Sequence, residues 1–179
     1  MSGSGAFTIL HALHNEDADM TTSSEQGFPR WLILLGALTA IGPLSIDMYL
    51  PAFPQIERSL GGLPGSVELT LASFFIGLTL GQLFYGPLSD RFGRKKPLYA
   101  GLAIYTLASI GAAFAPSIPA LIACRFLQGM GGCAGIIIPS AIVGDRTTAR
   151  ESARAFSLLM LVMGLAPILA PLIGGGLLT

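Results

Sequence analysis

Gly86-Pro-Leu-Ser-Asp-Arg-Phe-Gly-Arg-Lys-Lys-Pro-Leu98 joins two long apolar runs. Upstream, Glu68 and Asp90 enclose 21 uncharged residues; downstream, 28 separate Lys96 from Arg125. About 20 apolar residues at ~1.5 Å each cross a hydrocarbon core of ~30 Å. A short basic segment between two such runs therefore reads as a polar hairpin between membrane-spanning helices. Gly93 supplies a sharp turn, and Pro97 suits the first turn of the next helix. Asp90 is the odd member, because a carboxylate at a helix C-terminus opposes the macrodipole. It requires a partner, either Arg94 or the N-terminus of another helix.

The same rhythm continues in both directions. Arg30 and Asp47 enclose 16 uncharged residues, Arg125 and Asp145 enclose 19, and the 25 residues from Ala155 to Thr179 carry no charge. Pro116-Ser-Ile-Pro119 breaks the longest run, since two prolines so close cannot share one regular helix. The reading is an all-α membrane protein with five transmembrane helices, at 31–53, 67–89, 98–115, 118–143 and 155–179. Arg91, Arg94, Lys95 and Lys96 occupy one connection, Arg146, Arg150 and Arg154 another, and Arg58 stands alone on the opposite side. Positive residues gather inside, so the 90–96 and 145–154 loops and the N-terminus are predicted to be cytoplasmic. The three arginines 146, 150 and 154 follow one helix stripe, suited to anionic headgroups or to solvent.

Composition agrees. Of 179 residues 52% are hydrophobic and 11% charged, with ten acids balancing ten bases; the mean hydropathy is +0.69. Soluble domains carry about 25% charge. Zero net charge offers no basic face for nucleic acid. Residues 1–30 are predicted to form a disordered acidic cytoplasmic tail, with Met20 as an alternative start and no signal-peptide pattern. His11 and His14, three apart in this tail, could share a metal only on a formed helix. Cys124 and Cys133 are half a turn out of phase and too far apart to bridge. With no Cys/His metal set, phosphate loop or catalytic triad, no enzyme activity, metal or cofactor is expected. Gly77-x-x-x-Gly81 and Gly131-x-x-x-Gly135 allow close helix packing in lipid, and Thr148-x-x-Glu151 forms a capping box before the fifth span.

Two charges fall inside spans, Asp47 and Arg125. Each costs ~2.5–3.5 kcal/mol at a bilayer centre on insertion scales. From the helix rise, Asp47 lies about 24 Å above the inner boundary, and Arg125 about 10 Å below the outer one. The depths agree within a turn, so a pair, direct or across water, is expected. Such a pair is either a static structural bridge or a proton-coupling site. Burial disfavours a carboxylate while a nearby guanidinium favours it. A change in their distance or hydration would bind a proton on one side and release it on the other.

Gly86, Leu88, Asp90, Arg91, Gly93, Arg94 and Lys95 resemble motif A of the major facilitator superfamily. Leu121-x-x-x-Arg125-x-x-Gln128-Gly129-x-Gly131 resembles its motif B, in the fourth helix. Ala170-Pro171-Leu-Ile-Gly174-Gly175 resembles motif C, the antiporter signature of the fifth, with Ala170 where glycine is usual. Ser45-Ile-Asp47-Met-Tyr-Leu-Pro51-Ala-Phe-Pro54 and the Ala-Pro-Ile-Leu-Ala-Pro of 166–171 are similar to the Bcr/CflA branch of drug/proton antiporters.

The resemblance, over residues 28–179, implies five helices of a major-facilitator N-terminal half bundle. The partners it implies are the lipid bilayer, a small-molecule substrate, a proton and a second transporter half missing from the chain. It implies a cytoplasmic gate in which Asp90, Arg94 and Asp145 form a charge relay, with Gly86, Arg91 and Gly93 shaping the loop. Helices one, two, four and five would line a cavity, where Tyr49, Phe74, Phe75, Gln82, Tyr85, Gln128 and Met163 are candidate substrate contacts by residue type. Ala170, Pro171, Gly174 and Gly175 would keep the outer side closed to proton leak. The implied function is the N-terminal portion of a proton-coupled exporter of drugs or similar small molecules in the cytoplasmic (inner) membrane. The alternatives are an exporter of a natural metabolite, or a truncated fragment without transport of its own, since five spans do not complete a three-plus-three repeat.

Overall fold

The computed structural model describes residues 30–177. The expected tail before Arg30, with His11, His14 and Met20, lies outside them. Every regular element among the described residues is helical: α1 (Arg30–Asp47), a 3-10 turn (Leu50–Ala52), α2 (Phe53–Leu60), α3 (Ser66–Phe92), α4 (Lys95–Ala113), α5 (Ile118–Arg146) and α6 (Ala149–Gly176). The described part of a first compact unit, Arg30–Ile33, is helical, and the chain from Leu34 forms a second.

The first span, expected over 31–53, stops as a regular helix at Asp47. Pro51 lacks the N–H that would bond the Asp47 carbonyl, and its ring crowds that carbonyl. The last carbonyls of α1 are thereby left without helical donors. The Tyr49 N–H, which a continuing helix would direct at Ser45, instead reaches the Ile46 carbonyl at 3.3 Å. The chain then runs through the 3-10 turn into α2, which ends at Gly61 in the left-handed conformation (φ +62°). The next three helices begin and end within about three residues of 67–89, 98–115 and 118–143, whereas α6 opens at Ala149, six residues before the expected 155. Gly93 (φ +80°) stops α3, and the proline-bounded turn at 114–117 separates α4 from α5.

Among the described residues four segments are long and apolar enough to cross a membrane: Trp31–Leu60, Ser66–Phe92, Ile118–Arg146 and Glu151–Gly176. The 19-residue α4 opens on Lys95 and Lys96, and at ~1.5 Å per residue its length is close to that of a hydrocarbon core. Exposed Leu83, Leu107 and Leu172 would be an aggregation surface in water and are a lipid contact in a bilayer.

Helix α5 is the hub. Its most apolar window is 56% buried, against 17–33% for the other spans. Glycines on different sides admit different neighbours. A Cβ on Gly129 would collide with the Phe74 carbonyl of α3, one on Gly131 would lie 2.5 Å from the Tyr105 nitrogen of α4, and one on Gly135 2.9 Å from the Leu38 carbonyl of α1. Gly77 of α3 answers against the Phe126 backbone. The small-residue pattern is therefore bundle packing. Cys133 sits in the core with Tyr85, Ala134 and Ile138, and both described cysteines are free thiols.

Helix α6 starts on the predicted capping box. The Thr148 backbone N–H and hydroxyl both donate to Glu151 Oε2 at 2.9 Å. Thr148→Ala is expected to cost about 1 kcal/mol, read as a lower unfolding temperature in detergent that Thr148→Ser restores. An unchanged temperature would show that the box contributes nothing.

Candidate functional site

Arg125 stands two turns into α5 with only 4% of its surface exposed. Nη1 and Nη2 both donate to the Ser45 carbonyl at 3.2 Å, and Nη1 also donates to Gln128 Oε1 at 2.8 Å. The guanidinium carbon lies 3.5 Å from the Tyr49 ring centroid and 5.5 Å from that of Phe74. The break at Pro51 makes this cage. It frees the Ser45 carbonyl at the negative end of the α1 dipole, where a cation is favoured. The two ring faces add cation–π attraction, worth ~2 kcal/mol or more when desolvated.

The cage continues outward as hydrogen bonds. Gln128 Nε2 donates to Ser109 Oγ at 2.8 Å, and Ser109 Oγ donates to the Tyr105 carbonyl at 2.7 Å. The Tyr105 and Ser45 hydroxyls are 2.6 Å apart, as are Ser45 Oγ and the Ile41 carbonyl. The Tyr49 hydroxyl meets Thr70 Oγ1 at 2.7 Å, and Thr70 in turn donates to the Val67 carbonyl at 2.6 Å. Sequence reasoning missed Ser45, Tyr105 and Ser109. The available signal was a tyrosine and a serine four residues apart in an otherwise apolar span, hence on one helix face.

Asp47 is half-buried and ends α1. It lies in the chain between Ser45 and Tyr49, both of which touch Arg125. Asp47 and Arg125 do not form a direct ion pair: among the described residues the ion pairs are those of Arg94. The physical reason is competition. A backbone carbonyl and a ring face occupy the edge and the plane of the guanidinium. Gly174 of α6 backs onto the residue after Asp47, since a Cβ there would lie 2.5 Å from the Met48 carbonyl. In the same motif Ala170 is fully buried, Pro171 lies inside the helix, and Gly175 faces open space.

Tyr49, Phe74 and Gln128 thus gather around Arg125, whereas four other candidates do not. Phe75 packs edge-on to Phe74 at 6.2 Å but is largely exposed, as is Gln82; Tyr85 is in the core, and Met163 is half-buried on α6. Phe74 itself has no exposed surface. A cavity of about 330 Å³ is lined by Tyr49, Ser59, Leu121, Arg125 and Gln128. No cluster of potential metal ligands occurs among the described residues.

At the opposite end of α5, Arg94 bridges three helix ends. Nε donates to Asp145 Oδ2 at 2.8 Å, Nη2 to Asp145 Oδ1 at 3.4 Å, and Nη1 to Asp90 Oδ1 at 2.6 Å and to Ser89 Oγ at 2.7 Å. The bonds it donates to Asp145, then to Asp90, raise the Arg94 pKa above its ordinary value, so it stays charged. Asp90 and Asp145 are 69% and 52% exposed, and solvent screens such pairs strongly. The cluster therefore sets the register of α3, α4 and α5 more than it stabilises the fold. Gly86 meets open space, and Arg91 lies over the Phe92 ring at 5.4 Å. Arg146 and Arg154 are exposed, and the side chain of Arg150 lies outside the described residues.

Residues 29–179 match the Major Facilitator Superfamily. The MFS-type transporter YdgK of Bacillus subtilis is 47% identical over 145 residues, covering 81% of this chain and 36% of that protein. The Bicyclomycin resistance protein homolog of Haemophilus influenzae is 37% identical over the same shares. Multidrug resistance protein D of Escherichia coli is 35% identical over 80% of this chain and 36% of its own length. The chain spans about a third of the length of these relatives.

Proposed function

Since the chain belongs to the major facilitator superfamily, we propose that it forms the N-terminal portion of a proton-coupled exporter of drugs or similar small molecules. The setting proposed is the cytoplasmic membrane, with the N-terminus inside. Relatives named for bicyclomycin and multidrug resistance support the cargo class. The apolar helices support a multi-pass membrane protein.

One observation supports the coupling mechanism: the guanidinium is held by Ser45 and Tyr49, the residues two before and two after Asp47 in the chain, while no ion pair among the described residues claims the Asp47 carboxylate. Arginine does not lose its proton in proteins, and its cage holds a carbonyl, an amide oxygen and ring faces. In this reading Arg125 is the fixed charge and Asp47 the carrier of the coupled proton. A proton taken up at Asp47 from outside is released inside when the bundle rearranges. One charge moved through ~100 mV supplies ~2.3 kcal/mol.

Drugs would bind beside Tyr49 and Gln128, where the cavity volume lies within the ~300–1,000 Å³ of small-molecule sites. Phe74, Phe75, Gln82, Tyr85 and Met163 would meet cargo only after helices move. The Asp90–Arg94–Asp145 cluster, with Gly86, Arg91 and Gly93, would hold the cytoplasmic gate shut. Ala170, Pro171, Gly174 and Gly175 would keep the outer side closed to proton leak, Gly174 by backing onto Met48 just past the end of α1.

In a full-length transporter containing this chain, Asp47→Asn is expected to abolish proton-driven efflux, and Asp47→Glu to keep part of it. Efflux of a fluorescent lipophilic cation, with and without a protonophore, reads this. Normal energised efflux by the Asn variant would remove the proposal.

A further inference from the structure

The two charges stand on α1 and α5, yet the polar ring around Arg125 closes through α4. Both ends of one residue close it. The Tyr105 side chain reaches Ser45 on α1, and its backbone carbonyl receives Ser109, which receives Gln128 on α5. Glycines make the approach possible: Gly131 leaves room for the Tyr105 backbone, and Gly132 for its ring, which a Cβ would meet at 3.3 Å.

Proton inventory fixes the direction of each bond. A serine hydroxyl has one proton. That of Ser45 goes to the Ile41 carbonyl, so Tyr105 must donate to Ser45. That of Ser109 goes to the Tyr105 carbonyl, so Gln128 donates with Nε2 and keeps Oε1 for Arg125. Removing the tyrosine hydroxyl leaves the Ser45–Ile41 bond intact and cuts only the tie between α1 and α4. That tie holds the rotation of the last turn of α1, which carries both the Ser45 carbonyl and Asp47.

We propose that Tyr105 is a positioning residue: acting through Ser45, it holds the end of α1 so that Arg125 stays on the Ser45 carbonyl and Asp47 remains unclaimed. This rests on the proton-coupling reading above. Without the tie, the guanidinium is free to follow the carboxylate, and an ion pair there would hold the carboxylate in its charged form. Coupled turnover should fall while drug affinity stays.

The test compares Tyr105→Phe, Ser45→Ala, the double variant and Asp47→Asn in a full-length transporter reconstituted in proteoliposomes at matched folded yield. Drug uptake driven by an imposed proton gradient is the readout. Tyr105→Phe should lower kcat about five- to tenfold, the effect of one hydrogen bond, with KM unchanged. Ser45→Ala should do the same, and the double variant no worse than either, because both cut one tie. Wild-type kcat in Tyr105→Phe, a raised KM, or additive losses would overturn the positioning role while a dead Asp47→Asn leaves the coupling reading standing. Coupled transport by Asp47→Asn would remove both.

Discussion

Arg125→Met should abolish proton-coupled export while leaving the protein folded. The side chain is buried, and its charge is compensated only by a carbonyl, an amide oxygen and two rings. Removing a buried charge relieves a desolvation penalty of roughly several kcal/mol. Against this, the Ser45 carbonyl and Gln128 Oε1 each lose a donor, at ~1–3 kcal/mol apiece. The terms offset, so folded yield and unfolding temperature should stay near wild type. Transport has no such compensation, because a thioether supplies no fixed charge beside Asp47. Efflux should drop to that of cells lacking the transporter. Arg125→Lys should fall between, since an ammonium neither forks onto the carbonyl nor stacks flat on Tyr49. Cellular efflux and thermal unfolding together check this; a Met variant that exports normally would contradict it.

Gly129→Val should have the largest effect on folding. The added Cβ would strike the Phe74 carbonyl, with Leu78 N also at 3.0 Å. These are backbone atoms of α3, which cannot step aside as a flexible side chain can. Overpacking costs ~1–3 kcal/mol, and more where backbone must move. Phe74 also lies beneath Arg125, so separating α3 from α5 opens the cage as well. Size-exclusion chromatography should show little monodisperse Val variant. Gly164→Ala, where a Cβ meets nothing within 4 Å, should run like wild type. An undiminished Val peak would mean the two helices are not packed backbone to backbone.

Both variants sit on features of different legibility. Helix order, the hairpin at Gly93 and the turn at Pro116–Pro119 could be read directly, because punctuating residues act where they stand. The end of α1 could not. Apolar character runs on to residue 53, while Pro51 acts on a carbonyl four residues back. From helix rise alone it followed that Asp47 and Arg125 should lie at similar depths. That the guanidinium would choose the Ser45 carbonyl over the carboxylate did not, because a backbone acceptor freed by a helix break has no signature of its own. Tyr85 and Tyr105 look alike in sequence, yet one fills the core and the other ties two helices together. The difference lies in Gly131 and Gly132 on the facing helix, beyond the reach of local pattern. The position of Asp90 at a helix end called for a partner, but the full Asp90–Arg94–Asp145 cluster was expected only from the resemblance to motif A.

The division of labour between a permanent cation and one titrating carboxylate is most directly tested by proton release. Purified full-length transporter in weakly buffered detergent, mixed with a lipophilic cationic drug, should acidify the medium as Asp47 gives up its proton. Asp47→Asn should bind drug in silence, and Arg125→Met should bind it without the wild-type proton signal. Equal acidification by wild type and Asp47→Asn would place the exchanged proton elsewhere and contradict the mechanism.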